Sequence, residues 1–228
     1  YGQKKYYDTT VKFLKGFPMS TPKRIFEAGA ASGKLLHMLA DTFGADVAAI
    51  EPSDEARAFA QKEFNISILP GSIESLDIDA AGFRNVFGFI VCCSVLEHVP
   101  WPVAFISKLT EMLKPEGLLY LEVPSLGFKE GEMPVEKVIQ RLHLCYYTPS
   151  ALSMLASEAG LTLLHIEEDF SMYVPIYRVM YRNNNPLVYS SVLFERHEGV
   201  FRSRLESALN KCKKYIAAYD VVWIWGIG

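Results

Sequence analysis

The chain has 228 residues, half of them hydrophobic and 13% aromatic, which excludes a disordered segment and leaves ample length for a real core. Its formal net charge of −3 lacks the positive excess of a nucleic-acid binder. The longest apolar run, Val86 to Leu96, has 11 residues, too few to span a bilayer.

In chain order, "YGQKKYYDTTVKFLKGF" (1–17) is expected to be a helix, and "KRIFEA" (23–28) a buried strand followed by a helix from Gly33 to Asp41. "DVAAIE" (46–51) is the next strand. "SDEARAFAQKEF" (53–64) opens on a Ser53 cap with acidic residues in its first turn, and so predicts a helix. "SILP" (67–70) reads as a short strand and "VFGFIVCC" (86–93) as a buried parallel one. "WPVAFISKLTEMLK" (101–114) is predicted helical, with Pro102 near its start and Pro115 and Gly117 at its end, before the strand "GLLYLEVP" (117–124). Strand-helix alternation at this spacing implies an α/β fold, a doubly wound sheet with helices on both faces and ligands at the carboxyl ends of the strands.

Beyond 124 the pattern loosens. Residues 125–137 read as a loop or lid, 148–160 as a capped helix, 161–168 and 171–182 as strands, and "NNNP" (183–186) as a turn. Residues 191–219 read as one long helix with Val192, Phe194, Val200, Leu205, Leu209 and Ile216 on its apolar stripe. The ending "VVWIWGIG" resembles the opening of another nucleotide-type fold, or else is a C-terminal strand ending in a loop; the expected division is a ligand-binding domain over 1–185 and the start of a further region over 186–228. The long helix would pair with that region, with a second copy in a homodimer, or with the sheet itself. Cys92, Cys93, Cys145 and Cys212 form no CxxC pair and no zinc-type spacing, and read as reduced thiols of a cytoplasmic protein. Adjacent Cys92 and Cys93 should point to opposite faces of their strand.

The stretch "RIFEAGAASGKLL" (24–36) places a glycine loop between strand and helix. A phosphate-binding loop needs four residues between its glycines and Ser or Thr after the lysine; here Gly29 and Gly33 are three apart and Leu35 follows Lys34. The dinucleotide fingerprint would need glycine at Gly29, Ala31 and Lys34, and two of these are absent. What remains is an acidic residue, Glu27, ahead of Gly29 and Gly33, with a second one, Glu51, at the end of the next strand. A carboxylate beside a backbone-hugging loop suits a ligand with positive charge, and one at Glu51 can accept two ribose hydroxyls.

Residues 22–168 resemble the class I S-adenosylmethionine-dependent methyltransferases. "FEAGAASGKLL" is similar to that family's glycine motif, with Ala31 in place of its frequent middle glycine, and "AIEPS" (49–53) to its ribose-binding strand end. "GSIESL" (71–76) resembles the segment along the adenine, "FIVCCSVLEHVPWP" (89–102) the fourth-strand motif and "LKPEGLLYLEVPS" (113–125) the fifth. Gly88 departs from the pattern, standing where the family usually has aspartate. The resemblance implies S-adenosyl-L-methionine as cofactor, S-adenosyl-L-homocysteine as product, and Glu27, Gly29, Ala31, Gly33, Glu51, Pro52, Ser72, Ile73, Cys93 and Ser94 as cofactor contacts. It implies no metal.

Methyl transfer needs an aligned nucleophile and, for a hydroxyl or enol carbon, a general base. Glu97 and His98 stand just past the fourth strand, where they would serve catalysis or hold the loop and cap the next helix. His143 in "RLHLCYYTPSAL" resembles a histidine of deoxysugar C-methyltransferases, although Leu142 stands where those enzymes have glutamate. Tyr146 and Tyr147 read as lid packing, Tyr6 and Tyr7 as packing at the cofactor mouth, and His37, His165 and His197 as ordinary helix or strand residues. The expected acceptor is a small molecule, a sugar or other cell-surface precursor, with no nucleic acid and no membrane span. The alternative is a degenerate methyltransferase fold that binds the cofactor as sensor or scaffold.

Overall fold

A computed structural model of the chain describes residues 2–125, 140, 142–171 and 174–184. The expected lid beyond 125, the long helix with its homodimer or second-domain role, the ending "VVWIWGIG", His197 and Cys212 lie outside the described residues.

Seven strands form one sheet: β1 (Arg24–Ala28), β2 (Asp46–Glu51), β3 (Leu69–Pro70), β4 (Phe87–Cys93), β5 (Leu113–Pro124), β6 (Leu161–Asp169) and β7 (Ile176–Asn183). Their order is β3-β2-β1-β4-β5-β7-β6. The first five run parallel, and β7 lies antiparallel to both β5 and β6. Between them come α1 (Gly2–Gly16), α2 (Lys34–Phe43), α3 (Asp54–Phe64), a 3-10 turn at Leu96–His98, α4 (Pro102–Met112) and α5 (Pro149–Glu158). Among the described residues no helix is long and apolar enough to cross a membrane.

The local chemistry accounts for most boundaries. The Ser53 hydroxyl accepts the Ala56 N–H and caps α3, and the Thr148 hydroxyl accepts the Ala151 N–H and caps α5. Several boundaries differ from expectation: β7 starts at Ile176 rather than at 171 and runs on to Asn183, which pairs with Leu161 instead of opening a turn, and α2 continues to Phe43. Helix α4 stops at Met112 rather than continuing to Lys114, because Leu113 already pairs with Phe87. The pairing then jumps to Phe89 opposite Leu118, and the segment between, including Gly117, is accommodated as an irregularity in β5 while Gly88 sits at the jump in β4. Strand β3 is reduced to two residues, pairing only with Ile50 and Glu51.

Strand alternation divides the core into two layers. Phe26, Phe87, Ile90, Cys92, Leu119 and Leu121 pack with α4 and α5 through Phe105, Leu109, Leu152 and Leu155. Ile25, Phe89, Val91 and Tyr120 pack on the other face with α1 and α2 through Val11, Leu14, Leu35 and Leu39. Cys92 and Cys93 face opposite layers, as expected. Each fully buried Leu here contributes about 1.5–3 kcal/mol relative to exposure. From β1 the chain winds outward to β2 and β3, then returns to place β4 on the other side of β1. The carboxyl ends of β1 and β4 therefore flank a crevice at the point where the winding reverses.

Candidate functional site

The loop leaving β1 turns sharply under the control of backbone geometry. Gly29, Ala31 and Gly33 all take left-handed conformations, with φ of 72°, 45° and 71°. A Cβ on Gly29 would stand 2.4 Å from Val95 Cγ2, and one on Gly33 2.8 Å from Ala60 Cβ. These two glycines let the loop lie directly against Val95 and Ala60. The Gly29 and Ala30 N–H groups donate to Ile50 O at 2.9 and 3.2 Å, fastening the loop to the end of β2.

Glu27, at the end of β1, is 3% exposed, and its Oε2 has no hydrogen-bond partner among the described residues. Burial pushes its carboxyl well above the usual carboxylate range; a Leu36 N–H opposes the shift, and the charges of Glu51 and Glu122 add to it. A buried carboxyl without a partner is costly unless a donor or cation completes it. Glu51 ends β2 with Oε2 accepting the Ala31 N–H at 2.9 Å and Oε1 accepting the Ser53 N–H at 3.0 Å. Each oxygen keeps a second lone pair for a ligand hydroxyl.

The other expected contacts ring the same crevice at the strand ends. The carbonyl of Pro52 accepts from Arg57 at 2.8 Å. The 71–76 turn is tied by the Ser75 hydroxyl, which accepts from Ser72 N–H and donates to Ser72 O. Ile73 is buried in the α4 layer, so its side chain supports that turn from below. Cys93 is half-buried at the end of β4, and burial raises its thiol first, with Glu122 next, so it is an inert wall and no thiolate. Ser94 follows with φ of 54° and donates its N–H to Glu122 O at 2.9 Å.

Helix α1 roofs the crevice, and its fastening is a feature sequence reading missed. Glu122 on β5, 1% exposed, accepts from Tyr6, from Thr10 at 2.9 Å and from Tyr120, and pairs with Arg178 Nε at 3.5 Å. Arg178 in turn meets Asp169 at 2.8 Å. Tyr7 bonds the Ser32 side chain in the glycine loop, so the roof touches the loop directly. The signal in the sequence was a lone carboxylate two residues from Tyr120 in the otherwise apolar stretch "GLLYLEVP" (117–124).

The fold brings Glu97 and His98 together with His143, more than 40 residues further along the chain: one potential ligand atom of each lies within 4.8 Å of the others and the two imidazoles meet edge to face with centroids 4.9 Å apart. The Glu97 carbonyl accepts the Leu144 N–H at 2.7 Å and the Cys145 N–H at 3.2 Å, which pins the 142–145 segment to the 3-10 turn. Glu97 itself is 1% exposed, with Oε2 unpartnered among the described residues. Burial pushes its carboxyl up to about 7, opposed by a backbone N–H and by His98. His143 is depressed by burial and by His98, which keeps it a neutral imidazole at neutral pH. Tyr146 and Tyr147 are buried as expected; Tyr147 donates to Leu96 O at 3.1 Å, and Tyr146 touches His143. His37 stacks on Phe64, and His165 packs against Phe13 and Phe17, both away from this cluster.

The methyltransferase-domain family matches residues 2–166. The chain is 32% identical over 106 residues to the mitochondrial ubiquinone biosynthesis O-methyltransferase of Schizosaccharomyces pombe, covering 45% of this chain and 38% of that protein. It is 31% identical over 158 residues to the ubiquinone biosynthesis O-methyltransferase of Coxiella burnetii, covering 63% of this chain and 65% of the relative. The chain thus spans less than two thirds of the length of either relative. A crystal structure of a SAM-dependent methyltransferase from Aquifex aeolicus superposes with a TM-score of 0.59 at 18% identity, over 76% of this chain and 88% of that one, a likeness of fold. Since the family match runs from the roof helix into β6 and takes in the glycine loop and both carboxylate strand ends, the chain belongs to the methyltransferase-domain family.

Proposed function

We propose that this chain binds S-adenosyl-L-methionine at the β1–β4 crevice and transfers its methyl group to an oxygen of a small molecule. The observation that carries the reading is the buried Glu27 carboxyl, whose Oε2 has no partner among the described residues, beneath a loop whose Gly29 and Gly33 leave no room for a Cβ. S-adenosylmethionine, when bound, supplies a methyl group on a cationic sulfur for one-step displacement.

The residues divide the remaining work. Glu27 accepts from the ligand's ammonium group, and Glu51 accepts from ribose hydroxyls through its spare lone pairs. The 71–76 turn with Ser72 and Ile73 borders the base, and Cys93 with Ser94 forms the wall under the reacting centre. Helix α1, held by Tyr6 and Thr10 on Glu122, excludes water. Glu97, His98 and His143 hold the acceptor hydroxyl and manage loss of its proton. Oxygen is preferred over sugar carbon because the relatives compared above are named as O-methyltransferases; the sugar resemblance around His143 finds no echo in those names.

Parallel calorimetric titrations with S-adenosylhomocysteine, S-adenosylmethionine, NADH and ATP test the cofactor, with binding expected for the first two alone. Turnover is then read as S-adenosylhomocysteine formed with phenols, sugars and amines as acceptors. Binding without turnover on any acceptor would favour a sensor or scaffold. Failure of both sulfur ligands to bind folded protein would overturn the reading.

A further inference from the structure

We propose that Glu97, His98 and His143 form a site for one divalent transition-metal ion, zinc being the best fit, whose open positions take the acceptor's hydroxyl oxygen. The proposal rests on the reading above for where the acceptor sits, and it specifies how the hydroxyl proton is lost.

The donor set is two imidazole nitrogens and one carboxylate oxygen, the ligands of a catalytic zinc with a vacant position rather than those of magnesium, which takes oxygen. Both imidazoles are already oriented for the task. His98 Nδ1 lies 2.9 Å from the Leu142 carbonyl, which fixes the proton on that nitrogen and leaves the Nε2 lone pair free. His143 Nδ1 lies 3.0 Å from the Tyr146 hydroxyl, whose oxygen already accepts the Gln140 N–H at 2.8 Å. A proton on His143 Nδ1 satisfies that hydroxyl and again leaves Nε2 free. The Nε2 of His98 stands 3.9 Å from Glu97 Oε1, and the other carboxylate oxygen is buried without a partner. An ion at ~2.1 Å from each donor needs donors roughly 3.4 Å apart. One potential ligand atom of each residue lies within 4.8 Å of the others, a spread that side-chain rotation would close on a segment fastened by the Glu97 carbonyl.

Metal binding gives the cluster a chemical role that its histidines alone fill less well. A hydroxyl oxygen coordinated to the ion gives up its proton to water near neutral pH, as metal-bound water does. The resulting oxygen forms a bond to the methyl carbon as the carbon–sulfur bond breaks, and the sulfonium becomes a neutral thioether. Atoms and charge balance with no oxidant or reductant.

The test uses tag-free chain stripped with a chelator. Zinc is titrated in competition with a chromogenic chelator, and cobalt is followed by its visible d–d absorption. One equivalent of zinc should bind, and cobalt should give the intense bands of a four- or five-coordinate site. His98→Ala and His143→Ala should each weaken binding about tenfold or more, and His37→Ala should leave it unchanged. Thermal melts check that each variant folds; if the buried Glu97→Gln variant does not, the two histidine variants decide. Zinc binding that is substoichiometric, or equal in wild type and the His98→Ala/His143→Ala double variant, would overturn the site. S-adenosylhomocysteine is titrated into the same stripped samples: intact ligand binding and turnover without metal would refute the metal alone, and lost ligand binding in metal-loaded protein would refute the cofactor reading.

Discussion

Glu27→Gln isolates the charge that the site is built around. In the ligand-free protein burial holds the Glu27 carboxyl protonated to a pH well above the usual carboxylate range, with Glu51 and Glu122 adding repulsion. An ammonium group at Oε2 stabilises the charged form and brings that pKa back down. Between the two values binding expels one proton, so affinity rises with pH, tenfold or about 1.4 kcal/mol for each unit of separation. Glutamine keeps the shape and removes the charge, at a cost of about 1.5–3 kcal/mol for a hydrogen bond to a charged group. S-adenosylhomocysteine should then bind roughly 10- to 150-fold more weakly. The assay is calorimetry in buffers of different ionisation enthalpy, kept below the titration of the ligand's own amino group. Wild type should show proton release and the variant none. Without ligand the signs reverse: a raised folded pKa contributes stability in full below the unfolded value and loses it as pH rises through the folded value, so the variant should gain on wild type in alkaline denaturation. Equal affinity in the two proteins, or no buffer dependence in either, would refute the placement of the ammonium group at Glu27.

Glu51→Ala removes both the acceptor for Ala31 and Ser53 N–H and the proposed ribose contact, and should weaken S-adenosylhomocysteine binding by about 1–3 kcal/mol in calorimetry. Gly29→Ala sets a Cβ 2.4 Å from Val95 Cγ2 at φ of 72°, which should abolish ligand binding and lower the thermal midpoint, while Gly82→Ala, with nothing within 4 Å, should retain binding. Glu122→Ala strips the buried partner from Tyr6, Thr10, Tyr120 and Arg178 and should cost about 3–5 kcal/mol in urea denaturation. Ser53→Ala loses the α3 cap and should cost about 1 kcal/mol in the same assay, close enough to the site to test whether cap loss alone affects ligand affinity.

Much of the candidate site's geometry was legible because it is set by local chemistry. A left-handed turn demands glycine, a helix start demands a capping hydroxyl, and a carboxylate after an apolar strand stands at a strand end; Glu27, Gly29, Gly33, Glu51 and Ser53 each satisfied one of these rules in place. Ala31 shows the limit, since a left-handed alanine is not readable from residue type. The clamp at Glu122 was hidden because its partners come from α1, β5 and β7, and alternation along a single strand says only which face a residue takes. The cluster at Glu97 was half visible: both histidines were candidates, but the Leu142 carbonyl that orients His98 lies 44 residues away. The early start of β5 was missed because Pro115 and Gly117 read as a helix stop, whereas pairing of Leu113 with Phe87 had already ended the helix.

The most direct test of the central claim is a crystal structure of the chain with S-adenosylhomocysteine. The account predicts the ligand's ammonium nitrogen at ~3 Å from the Glu27 carboxylate and its ribose hydroxyls on Glu51, with Gly29 and Gly33 against the ligand. A ligand lodged elsewhere, or one that leaves Glu27 without a partner, would contradict it.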